Sequence, residues 1–209
     1  MFICKTILTG VFTLMILPLA AAGVQENWDA VAKVESVVGH DYFDILIRTL
    51  PKCTLDYALE FALLNRGPWA NLTSELDQLV DHYKQATDVI KKLNPSDFDI
   101  FDSGNARTKT AKALLTSYQF SNGILMPLMK GKARLTKQIP FVQPPILQRL
   151  KALKEVLVPL TETVESLILR NSDIQTYVKE EGNKLRTSVD PAIKAWEKNL
   201  IVKAKRFVA

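Results

Sequence analysis

Chemistry in this chain would have to start from histidine, cysteine or clustered carboxylates, and these are sparse. The sequence holds two histidines, His40 and His82, and two cysteines, Cys4 and Cys53. His40 stands one helical turn before Asp44, and His82 is next to Asp81. A zinc site needs about four ligands at tight spacing, and neither pair has further nitrogen or sulfur donors nearby. Surface positions on helices account for both histidines. Nucleophilic catalysis finds as little support. There is no Gly-x-Ser-x-Gly elbow, and Cys53 has no histidine near it in sequence.

The run from Asp97 to Asn105 can be tested as a calcium loop. Such a loop places oxygen ligands at alternating positions, glycine at the sixth and glutamate at the twelfth. Asp97 and Asp99 fit, but Phe101, Asp102 and Thr108 occupy the fifth, sixth and twelfth places. The failures fall on the residues that make the turn and the bidentate ligand. These acids read instead as helix caps, with Phe98, Ile100 and Phe101 pinning the loop to a core. The sequence therefore calls for no metal, no cofactor and no catalytic residue, and enzymes rank last among the functional classes.

Charge is more informative. From Ser103 to Lys154 there are ten Lys/Arg and no acid, whereas residues 23–102 carry fourteen acids and seven bases. Lys130, Lys132, Arg134 and Lys137 cluster in and around one connection, where they can meet an anionic group or partner. Few interleaved aromatics and no nucleic-acid motif make nucleic acid a poor candidate. An acidic protein, a sulfated glycan or an anionic membrane surface fits better, and so does mutual neutralisation of the two segments on folding.

Two further features bear on binding. Asn71-Leu72-Thr73 is a sequon for N-linked glycan, and Asn71 also suits a helix cap. Near the C-terminus, Val189, Ile193, Trp196, Leu200, Ala204 and Phe207 fall on one helical face, with lysines away from it. Trp196 and Phe207 could supply apolar contacts to a lipid, or the stripe could dock on its own bundle.

The elements that must position these residues are helical. Apolar residues fall at Leu72, Leu76, Leu79, Tyr83, Ala86, Ile90 and Leu93, and again at Ile146, Leu150, Leu153, Leu157, Leu160, Val164 and Leu167. Steps of four and three mark an apolar seam down one side of a helix, not the alternation of a strand. The expected fold is all-α: one antiparallel bundle of about six to seven helices spanning residues 23–209. Breaks are expected at Gly39, Gly67-Pro68 and Gly182, Asn71 is expected to cap a long helix, and Pro127 and Pro159 should disturb the helices that hold them.

Residues 1–22 read as a secretory signal. Lys5 is followed by an apolar run from Ile7 to Leu17, Pro18 and three alanines. The run is shorter than the roughly 20 residues needed to cross a bilayer. Cleavage would leave a secreted chain with no transmembrane segment and with Cys53 as its lone cysteine. Two binding roles follow. In the first, a fatty acid or other amphipathic lipid lies between helices, in a gap opened by Pro127 or Pro159, with lysines at its mouth. In the second, the basic surface of residues 103–154 makes the chain an interaction module or effector.

Overall fold

A computed structural model describes residues 22–93, 105–167 and 173–207. The residues before Ala22 that read as a signal, the acidic run from Asp97 to Ser103, and the side chains of Lys137 and Phe207 lie outside the described residues. Seven α-helices form the described part, and no strand occurs in it. They are α1 (Ala22–Phe43), α2 (Ala58–Leu64), α3 (Pro68–Lys92), α4 (Asn105–Lys132), α5 (Gln143–Ser166), α6 (Asp173–Thr187) and α7 (Asp190–Phe207). A π-helical turn (Asp44–Thr49) and a 3-10 turn (Leu50–Lys52) follow α1. Two more 3-10 turns, Ala133–Lys137 and Pro140–Val142, join α4 to α5.

Both apolar seams read from the sequence are buried along their whole length. They meet each other, because α3 packs more extensively on α5 than on any other element. From α1 to α6 the long helices alternate in direction, and α7 continues the direction of α6. Tyr42 meets Tyr83 and Thr49 meets Glu75, so α1 and α3 are antiparallel. α3 and α5 are alternate members of this sequence and therefore run the same way. Arg149, in the first half of α5, accordingly reaches Asp77, in the first half of α3, at 2.8 Å. Gln119 reaches Glu181, Asn122 reaches Ser188 and Trp196 reaches Met129, which sets α6 and then α7 parallel to α4.

Helix boundaries depart from the sequence reading at the glycines. α1 runs through Gly39 to Phe43. Glycine inside a helix costs roughly 1 kcal/mol against alanine, and the buried series Val31, Val34, Val38 and Tyr42 outweighs that. α6 likewise runs through Gly182, and the break falls between Thr187 and Asp190. Gly182 lets α5 approach closely: a Cβ there would lie 2.7 Å from Glu165 Oε1. Gly67 has φ of 81° and serves as the N-cap of α3, with Pro68 in its first turn. Asn71 is therefore not the cap; it sits one turn inside α3 and is exposed. The preceding helix ends at Asn65, whose left-handed φ of 48° returns its N–H to the Phe61 carbonyl. α4 and α5 both continue through their prolines, Pro127 and Pro159.

Cys53 is wholly buried, with its sulfur 3.4 Å from the Pro68 carbonyl oxygen. Burial pushes its thiol up to about 12, which keeps it protonated and inert.

Candidate functional site

A groove of about 380 Å³ runs between the C-terminal half of α4 and the α6–α7 junction. Volumes of roughly 300–1,000 Å³ suit a small organic ligand. Helix α4 supplies Gln119, Asn122, Gly123, Met126, Pro127 and Lys130; Lys184, Ser188 and Pro191 come from the opposite wall. The groove exists because the sequence withholds side chains here. Gly123 presents no Cβ, and one built there would meet nothing within 4 Å. Proline at 127 and 191 adds compact apolar walls without a polar tip.

The polar groups at the floor are held from behind. Asn122 is wholly buried. Its Oδ1 accepts the Tyr42 hydroxyl, and its Nδ2 donates to Ser188 Oγ at 3.0 Å. With the Tyr42 proton committed to Asn122, Tyr83 donates to Tyr42 Oη across 2.8 Å. Tyr83 stacks edge-on against Tyr118 at 5.2 Å between ring centres. Burial raises all three phenols above their ordinary range, so they stay neutral donors. The Tyr118 hydroxyl is buried and has no hydrogen-bond partner among the described residues. Burial also lifts the nearby Glu35 carboxyl from 4.5 to about 7.

The lysines at the rim are not equivalent. Lys184 lies 2.5 Å from Glu181, which pairs its charge. That contact holds the Glu181 carboxyl low and the Lys184 ammonium high. Lys130 is exposed and has no acidic partner among the described residues. It is the uncompensated cation of the groove.

The other predicted site residues are dispersed. Lys132 donates to the Cys53 carbonyl at 2.7 Å and so ties the end of α4 to the chain before α2. Arg134 is exposed on the 3-10 turn after α4. Trp196 is wholly buried and donates Nε1–H to the Met129 carbonyl at 3.0 Å, so it fills the core beneath α4. Asn71 is exposed, while Thr73 of its sequon is buried and bonds the Ala70 carbonyl. Further along the basic stretch, charges are neutralised across helices: Arg149 by Asp77, Lys151 by Glu197 and Lys154 by Asp190, at 2.7–2.8 Å.

Neither histidine gathers a metal set, and among the described residues no group of three His, Cys, Asp or Glu is placed to hold an ion. His40 pairs with Asp44 at 3.2 Å on the surface. His82 is half-buried and binds Asp41 across helices at 2.5 Å. No described helix is long and apolar enough to cross a membrane. The groove can thus do what shape and charge allow: take an apolar segment along Met126, Pro127 and Pro191, over a floor that Asn122 and Ser188 hold fixed, and face an anion with Lys130.

No protein-family model matches the chain, and comparison with curated proteins finds no match either. Among solved structures, the chain is similar to ligand-binding domain 1 of the MP1 protein of Penicillium marneffei, solved in complex with arachidonic acids. The TM-score is 0.56 at 14% identity, covering 81% of this chain and 98% of that one. At this identity the likeness is one of fold.

Proposed function

We propose that this protein is a secreted, non-catalytic carrier of an amphipathic lipid with an anionic head, of the fatty-acid class. The observation that carries this reading is the groove itself. An apolar trough with a fixed polar floor is edged by one cation, Lys130, that no acid of the described chain compensates. An acyl chain against the apolar wall buries hydrocarbon, and its carboxylate meets the ammonium at the rim. The shared fold adds support, since the similar domain was solved with arachidonic acids. The N-terminal segment supports secretion, and exposed Asn71 remains a candidate glycan acceptor.

The carrier reading is preferred to that of a polyanion-binding module because four of the ten bases in the stretch are committed to partners within the chain. Arg149, Lys151 and Lys154 have acidic partners on other helices, and Lys132 holds a backbone carbonyl.

Titration with arachidonic acid and with its methyl ester tests the assignment. Wild type should bind the acid, and Lys130→Glu should weaken that binding by about 10-fold or more, the loss of a charge-assisted contact plus new repulsion. The methyl ester should bind both proteins alike. Equal affinity of the two proteins for the acid would remove Lys130 from the site, and no binding by wild type would remove the function.

A further inference from the structure

Apolar side chains face solvent where the chain turns from α2 into α3. Leu59, Leu63 and Leu64 are 66%, 79% and 62% exposed, on a helix of seven residues. Leu59 and Leu63 are one turn apart and share a face. Tyr57 and Phe141 add exposed aromatic surface at the same end of the bundle, since α2 packs on the Pro140–Val142 turn. These leucines contribute nothing to the core, and solvation disfavours such a concentration.

Their surroundings are basic. The Lys132–Cys53 bond brings the end of α4 beside the chain that leads into α2. Arg134 lies on the turn just after that bond, Lys52 immediately precedes Cys53, and Arg66 immediately follows the α2 end. All three are exposed and have no acidic partner among the described residues. Against them stand Asp56, which is exposed, and Glu60, whose carboxyl is turned in toward Gly67.

We infer that this end of the bundle docks on a lipid bilayer with anionic head groups, with Leu59, Leu63 and Leu64 entering the interface and Lys52, Arg66 and Arg134 meeting the head groups. Exposed leucines ringed by bases match the depth profile of such a surface, apolar below and anionic above. A second copy of the chain fits less well, because it would bring two basic rims together in a closed interface. The inference stands apart from the groove: a carrier need not touch a membrane, and a membrane-docking protein need not carry lipid.

Vesicle sedimentation tests it, using phosphatidylcholine with and without phosphatidylserine. Wild type should bind more strongly when phosphatidylserine is present, and added salt should weaken that gain. Leu59→Ser/Leu63→Ser/Leu64→Ser should reduce partition about 10-fold or more on both compositions. Arg66→Glu/Arg134→Glu should erase the preference for phosphatidylserine. These positions are exposed, so thermal unfolding of both variants should match wild type, and both should still bind arachidonic acid; that readout separates a failed docking surface from a failed groove. Wild type that ignores vesicles, or a triple serine variant that binds them undiminished, would overturn the inference. So would a wild-type dimer in size-exclusion chromatography that the triple variant abolishes, since that assigns the leucines to a second copy.

Discussion

Trp196→Ala is expected to lower the stability of the folded chain by about 3–5 kcal/mol. The indole is wholly buried, and its loss leaves a cavity of aromatic size between α4 and α7. It also strands the Met129 carbonyl, which accepts the indole N–H. The backbone around it is fixed as well, because the Gln143 side chain donates to the Trp196 carbonyl. One residue thus joins α4, the start of α5 and α7, through its indole to the first and its backbone carbonyl to the second. Urea denaturation followed by circular dichroism measures the effect. Trp196→Phe should recover much of the loss, because it refills most of the volume and lacks only the donor. A cost below about 1 kcal/mol for the alanine variant would mean that α7 is not docked. Its apolar face would then be free for a lipid interface.

Glu35→Gln is expected to stabilise the protein at alkaline pH. Burial holds the Glu35 carboxyl at about 7 in the folded chain, against 4.5 as its ordinary value. The folded state therefore keeps this proton where the unfolded state has already released it. The resulting stability is fully present below pH 4.5, falls as pH rises, and is gone above about pH 7. At 1.36 kcal/mol per tenfold change in proton affinity, the advantage of the glutamine variant over wild type should grow by about 3 kcal/mol between pH 4 and pH 8. Burial likewise raises Asp41 and Glu75, although His82 and Thr49 oppose it. Their contributions cancel in the comparison of variant with wild type. Denaturation at the two pH values supplies the test. A pH-independent difference would show that Glu35 titrates as an exposed carboxylate, and the interior beside Tyr118 would have to be wetter than the packing indicates.

The bundle was legible because its evidence is periodic. Leu76, Leu79 and Tyr83, or Leu150, Leu153 and Leu157, point the same way only on a helix, and each seam has a partner of equal length. The ends of helices were less legible, because local propensity is a weak force beside packing. Gly39 and Gly182 read as stops, yet Val38 and Tyr42 bury the helix past the first, and close contact with Glu165 explains the second. Asn71 read as a cap because its type favours that position, but Gly67 and Pro68 supply the turn and the first helical residue four positions earlier.

The groove was half legible. Pro127 as the site of a gap and lysines at its mouth follow from residue type, and Pro127 and Lys130 do line it. Which lysine is uncompensated is a matter of neighbours distant in sequence, so Lys130 and Lys132 looked alike until the latter met the Cys53 carbonyl. The polar floor was hidden for another reason. Tyr42, Tyr83 and Tyr118 sit at core positions and count as apolar in any periodicity, so their hydroxyls leave no trace in the pattern. Asn122 is the one signal that was present: an amide directly before a glycine, in a segment otherwise moving into apolar residues, marks a buried polar contact beside a space.

The most direct measurement of the central claim is native mass spectrometry with arachidonic acid, on wild type and on Gly123→Trp. The added indole points into the groove from a position where a Cβ meets nothing, so the fold should tolerate it and thermal unfolding should be unchanged. The account predicts one retained fatty acid per wild-type chain and none on the tryptophan variant. Retention by both proteins, or by neither, would contradict it.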